Sequence, residues 1–143
     1  MKKILFVCTG NTCRSPMAEA LFNFLAKKGD VQAKAKSAGL YVTNKKVEQK
    51  SREALKAWGI VIRHRPTKIT RELFNEADLV LAMTEEQKIL LEREITSPKL
   101  YSVAEFTNGI DIQDPYGLDL DEYVNTAKLL EFTIKNIIAK IKR

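Results

Sequence analysis

The chain has 143 residues (16.2 kDa), 45% of them hydrophobic and 29% charged, which is the size and composition of one soluble domain able to bury about two thirds of its unfolded surface. Two-domain, disordered, collagenous and coiled-coil classes are thereby excluded. The net charge of +6 hides a division: residues 27–71 carry 13 Lys or Arg against 3 acids, and residues 72–143 carry 8 against 14. A basic field of this kind steers anionic partners such as phosphorylated proteins, or is simply a solvated surface.

Met1-Lys2-Lys3 precedes an apolar run of only Ile4, Leu5, Phe6 and Val7, far short of a signal-peptide core or a membrane span. A cytoplasmic protein without membrane contact is therefore expected. The same run suits a strand buried on both faces of a parallel sheet. A helix is predicted from Ser15 as N-cap and Pro16 as first helical residue, with Met17, Ala20, Leu21, Phe24 and Leu25 at helical spacing and a stop at Gly29. Residues 31–38 read as a second strand, at an edge because its alternating lysines discourage strand addition. Residues 47–58 predict a helix, 70–75 a short one capped by Thr70, and 79–83 a central buried strand, after which Thr84 caps another helix. Residues 100–103 give a last strand, 107–121 a turn-rich functional loop, and 121–142 a helix whose stripe of Tyr123, Ala127, Leu130, Ile134, Ile137, Ile138 and Ile141 faces the core.

Strands separated by helices imply right-handed crossovers, hence a single α/β domain over residues 1–143. The expected fold is a doubly wound, parallel four-stranded sheet with helices on both faces. Such folds bind ligands beyond the carboxyl ends of the strands, and here that places the site at Cys8-Thr9-Gly10-Asn11-Thr12-Cys13-Arg14-Ser15.

A loop between a buried strand and a helix N-terminus turns backbone N–H groups and the helix dipole toward an anion. It matches neither the G-x-x-x-x-G-K-[ST] nor the G-x-G-x-x-G nucleotide pattern. Instead, Cys8 stands where the same N–H groups favour a thiolate nucleophile, and Arg14, six residues on, presents a planar fork to phosphoryl oxygens. Ser15 is read either as a plain N-cap or as a hydroxyl donor to the Cys8 sulfur. A leaving group also needs an acid. Asp114, in Gln113-Asp114-Pro115-Tyr116-Gly117, is the candidate, against the alternative of an ordinary turn and against Asp111, Asp119 and Asp121 as weaker rivals.

The stretch Val7-Cys8-Thr9-Gly10-Asn11-Thr12-Cys13-Arg14-Ser15-Pro16-Met17-Ala18-Glu19 resembles the signature of low-molecular-weight protein phosphatases. Length, Ser37-Ala38-Gly39, residues 77–84 and the late Asp114-Pro115 resemble that family too, so the resemblance covers nearly the whole chain. It implies that Cys8 is the nucleophile, Arg14 the phosphate-binding arginine and Asp114 the acid that later activates water. It further implies that Thr9, Gly10, Asn11, Thr12, Cys13 and Ser15 line the phosphate site, and that Asn11 holds the loop's shape with Ser37 and His64 behind it. His64 otherwise reads as an ordinary surface or core residue. Cys13 is the family's second loop cysteine, able to capture an oxidised Cys8 as a disulfide, or else a small buried hydrophobe. Neither a metal nor an organic cofactor is implied, since two Cys and one His fall short of four zinc ligands.

Phosphotyrosine-directed members of that family usually carry an apolar residue at the position of Thr12. This chain resembles the protein-arginine phosphatase branch, whose loop has the same sequence. Gly117 after Tyr116, where many tyrosine-directed members have a second aromatic, points the same way; Tyr41 is a further candidate wall. Phosphoarginine is thus the favoured substrate and phosphotyrosine the alternative, with inorganic phosphate as product and a monomer as the expected state. An arsenate reductase is remote, because no cysteine follows Cys13, and a cysteine-phosphorylated carrier would need neither Arg14 nor Asp114. Nucleic acid is not an expected partner, since no recognition motif accompanies the basic segment.

Overall fold

A computed structural model describes residues 1–142. Strand β1 (Lys2–Cys8) leads into helix α1 (Arg14–Lys28) and returns as β2 (Ala33–Gly39); α2 (Gln49–Ala54), a 3-10 turn (Leu55–Trp58) and α3 (Arg71–Glu76) precede β3 (Leu79–Ala82). Then come α4 (Glu85–Glu92), β4 (Leu100–Ser102), α5 (Val103–Thr107) and the long α6 (Leu120–Ile141). All pairings are parallel and the order is β2-β1-β3-β4, so the edge position expected for the second strand is borne out, with Lys34 and Lys36 exposed between buried Ala33, Ala35 and Ser37.

The two-residue alternation of β1 divides the core. Ile4, Phe6 and Cys8 face α1, α2 and α6, where Phe6 and Phe22 meet edge to face with centroids 5.9 Å apart. Leu5 and Val7 face Phe74 of α3 and Leu91 of α4 on the opposite side. The expected stripe of α6 lies on the first core, with Tyr123, Ala127, Leu130, Ile134 and Ile137 buried. The connection leaving β1 runs to β2 and the one leaving the adjacent β3 runs the opposite way to β4, so the loop after β1 lies at the switch point of the sheet.

Several boundaries differ from expectation for local reasons. Ser15 is not the N-cap of α1: Cys13 is, without a side-chain cap, and Pro16 is the third helical residue rather than the first. The Ser15 hydroxyl is engaged elsewhere, and proline remains acceptable because first-turn N–H groups lack helical partners. Gly29 does end α1, but Asp30, at φ 53°, takes the left-handed turn beyond it. Residues 47–58 are not one helix, since the Glu48 backbone N–H is drawn to the Thr12 carbonyl at 2.9 Å and the last turn tightens to 3-10 before Gly59 at φ 71°. Thr70 and Thr84 cap α3 and α4 as expected, Thr84 with Gln87 in a reciprocal capping box. Helix α5, closed by a second such box of Ser102 and Glu105, was not anticipated.

Candidate active site

The β1 ladder ends at Cys8, paired with Gly39 of β2. A Cβ at Gly39 would stand 2.8 Å from the Thr9 carbonyl oxygen and 3.0 Å from Asn11 Cβ, so only glycine lets β2 approach the loop this closely. The loop's carbonyls are bound outward: Cys8 O accepts from Leu40 N–H, Thr9 O from Tyr41, Thr12 O from Glu48 and Cys13 O from Met17. With these four carbonyls committed, the loop runs directly into the first turn of α1, whose N–H groups lack helical acceptors.

Cys8, Cys13, Arg14 and Ser15 are all buried, and Thr12 is 9% exposed at the rim. Ser15 Oγ lies 2.7 Å from Cys8 Sγ, so the hydroxyl-donor reading of Ser15 matches its placement and the N-cap reading does not. The hydrogen positions follow from one backbone donor. Thr67 N–H can only donate, and it meets Asn11 Oδ1 at 2.9 Å. Asn11 Nδ2 therefore donates to Ser15 Oγ at 2.7 Å and to Ser37 Oγ at 3.0 Å. Ser15, with that lone pair taken, has its own proton free for Cys8 Sγ. His64 Nε2, 2.6 Å from the same Asn11 oxygen, must carry a proton, and Ser37 donates onward to Glu19 Oε1 at 2.9 Å. Asn11 is thus fully satisfied in a left-handed conformation at φ 56°. Burial lowers His64 below its ordinary value and raises Glu19, whose Oε1 is 3.5 Å from His64 Nδ1.

Arg14 is held by the segment between α5 and α6. Ile112 N–H donates to the Met83 carbonyl at the end of β3, and the Ile112 carbonyl accepts from Arg14 Nη1 at 3.0 Å. Two residues later Asp114 Oδ2 stands 3.6 Å from Arg14 Nη2, half exposed, while its Oδ1 accepts the Tyr116 N–H at 3.0 Å. Asp114 is therefore both a turn residue and the carboxylate facing Arg14. Its rivals are engaged elsewhere: Asp111 accepts from Glu85 N–H, Asp119 caps α6 and Asp121 lies in that helix's first turn. Tyr41 and Tyr116 are 72% and 62% exposed; both reach the site through their backbone, Tyr41 N–H donating to the Thr9 carbonyl and Tyr116 N–H to Asp114 Oδ1, and neither is a packed wall.

Burial pushes the Cys13 thiol up, and its sulfur meets Tyr123 Oη at 3.5 Å. Sequence reasoning missed Tyr123 and three other supports. Gln87 Nε2 donates to Thr9 Oγ1 at 2.9 Å, Ser51 Oγ reaches the Thr12 carbonyl, and Glu19 closes the network behind Asn11. The Thr84–Gln87 capping spacing was visible, but its reach across 78 residues to Thr9 was not. Among the described residues, no cluster of three or more His, Cys, Asp or Glu could hold a metal, and no helix is long and apolar enough to cross a membrane.

The family model described as low molecular weight phosphotyrosine protein phosphatase matches residues 3–143. The protein-arginine-phosphatase of Bacillus subtilis (strain 168) is 37% identical over 98% of this chain and 97% of its own. The low molecular weight protein-tyrosine-phosphatase PtpB of Staphylococcus haemolyticus is 34% identical over 92% of this chain and 94% of its own. A solved structure of the YwlE arginine phosphatase, a cysteine-to-serine mutant with a phosphorylated active site serine, superposes with a TM-score of 0.94 at 36% identity, covering 99% of this chain and 96% of that one. Together with the four-stranded parallel fold, these likenesses mean that the chain belongs to the low molecular weight phosphotyrosine protein phosphatase family and is a protein phosphatase.

Proposed function

We propose that the protein hydrolyses phosphoarginine in proteins through a phosphocysteine on Cys8. The observation that carries the mechanism is the opposition of two pairs across the cradle, Cys8–Ser15 at 2.7 Å and Arg14–Asp114 at 3.6 Å. The Cys8 thiolate attacks phosphorus while the P–N bond to the guanidinium breaks, and Asp114 delivers the proton to the departing nitrogen. Arg14 and the loop N–H groups hold the equatorial oxygens. Water, giving its proton to Asp114, then attacks phosphorus; the S–P bond breaks, inorganic phosphate leaves, and the Ser15 hydroxyl stabilises the released thiolate.

The phosphorylated serine in the YwlE mutant structure supports a covalent step at the nucleophile's position. Thr12 supports the substrate choice: its side chain sits at the rim, with Oγ1 3.7 Å from Cys13 Sγ, and offers a hydroxyl where an aliphatic residue would pack on a phenyl ring. Phosphotyrosine is the second reading, supported by the likeness to the protein-tyrosine-phosphatase PtpB and served by the same chemistry with a P–O bond. The test is kcat/KM on matched phosphoarginine and phosphotyrosine peptides for the wild type and Thr12→Ile. Preference for phosphoarginine that swings toward phosphotyrosine in the variant is expected; a wild type that prefers phosphotyrosine would overturn the substrate and leave the mechanism standing.

A further inference from the structure

A groove of about 950 Å³ runs between residues 45–52 and 62–65. Lys45, Lys46, Arg52, Arg63 and Arg65 line it, no acidic residue does, and none of the five forms an ion pair among the described residues. Arg52 Nη1 donates to the Ile62 carbonyl at 3.2 Å, which ties the two walls together. The groove and the cradle share structure: His64, at the groove wall, donates to Asn11, and Glu48 N–H holds the Thr12 carbonyl. Five cations without an ion pair among the described residues repel one another on tied walls, and an anionic occupant would relieve that repulsion.

We propose that this groove docks an acidic segment of the protein substrate, with Asp or Glu within a few residues of the phosphorylated one. The inference rests on the phosphatase reading: Glu48 and His64 hold the cradle loop at Thr12 and Asn11 from the groove's own segments, so polypeptide flanking a phosphorylated side chain in the cradle comes within a few residues of these walls. Extended chain advances about 3.3 Å per residue, so neighbouring carboxylates can follow the walls. Single-stranded nucleic acid is disfavoured as occupant, since no Phe, Tyr or Trp lines the groove to stack a base.

The experiment compares kcat/KM for phosphoarginine and phosphotyrosine peptides carrying either Glu or Gln at three positions on each side. The wild type and Lys46→Glu/Arg63→Glu are measured at low and high salt, with a small aryl phosphate alongside. Within the wild type the Glu peptide should be favoured by about tenfold, mainly through KM, with the advantage shrinking as salt rises. In the double variant the ratio should fall to unity or invert; because it is taken within one protein, a general loss from misfolding cancels. Equal rates on both peptides, or a preference that survives salt and charge reversal, would overturn the groove while aryl phosphate turnover leaves the phosphatase reading intact. Tighter binding of a single-stranded oligonucleotide than of the Glu peptide would also overturn it, and no turnover of any substrate would end the phosphatase reading and this inference together.

Discussion

Thr67 lends Asn11 one backbone hydrogen, at 2.9 Å from Oδ1, and that single bond orients every other hydrogen behind the cradle. Reversing the Asn11 amide would set an N–H against the Thr67 N–H and would remove the donor to Ser15. The hydrogen-bond polarity of the Cys8–Ser15 loop is thus set by a backbone group 56 residues away from Asn11.

Asn11→Ala should therefore harm activity and stability together. It deletes the bonds to Ser15, Ser37, His64 and Thr67 and leaves alanine in a left-handed conformation at φ 56°. At about 1 kcal/mol for each of the four buried bonds and a further 1–2 for the backbone, the expected loss is about 5 kcal/mol, read as a lower urea midpoint. A variant with unchanged midpoint and unchanged kcat would contradict the network.

Gly39→Ala tests how closely β2 must approach the cradle. The new Cβ would meet backbone at Thr9 and the Val42 side chain, both at 2.8 Å, so the loop itself has to shift. Overpacking of this kind costs about 1–3 kcal/mol. Activity should fall by more than that stability loss accounts for, because the displaced residue adjoins Cys8; full activity would show that the loop tolerates the movement.

The buried imidazole gives the fold a pH dependence with a definite sign. His64 is lowered from 6.5, so the unfolded chain takes up a proton before the folded one does. Its stabilisation is present above about pH 6.5 and is lost as pH falls through the folded value. Glu19, raised from 4.5, works in the other direction: its contribution is present below that value and is lost as pH rises through the folded one. His64→Gln keeps a donor for Asn11 but cannot titrate, and it should flatten the decline of unfolding free energy below about pH 6.5; an identical slope in both proteins would rule His64 out as its source.

The parallel four-stranded sheet, the edge position of the second strand and the loop between β1 and α1 were legible because each depends on local pattern: a buried apolar run, alternating lysines, a cysteine and an arginine around a helix start. What escaped was set by contacts distant in sequence. Tyr123 reads only as part of the core stripe of α6 until its hydroxyl is seen to meet the Cys13 sulfur across 110 residues. Residues 47–58 read as one helix until Thr12 draws Glu48 out of it. Gln87 and Glu19, both polar helix residues by sequence, gain their positions at the site only when β1, β2 and β3 bring the helices to one end of the sheet.

The three aspartates near the cradle separate acid from scaffold. Asp114→Asn retains an oxygen for the Tyr116 N–H, so the turn should persist while the proton donor is lost, and kcat should fall by about 10² to 10⁴ fold with little change in Tm. Asp111→Asn likewise keeps an acceptor for Glu85 N–H and should be close to neutral in both respects. Asp119→Ala removes the side chain that accepts from Glu122 N–H at 3.1 Å, which should cost about 1 kcal/mol of stability and leave kcat near wild type. The loss in Asp114→Asn should also be smaller for a substrate whose leaving group needs no proton, such as an aryl phosphate with a very acidic phenol. If Asp111→Asn proved as slow as Asp114→Asn, or if the slow variant remained equally slow on that activated ester, the carboxylate facing Arg14 would not be the acid, and its 3.6 Å contact would serve only to orient the guanidinium.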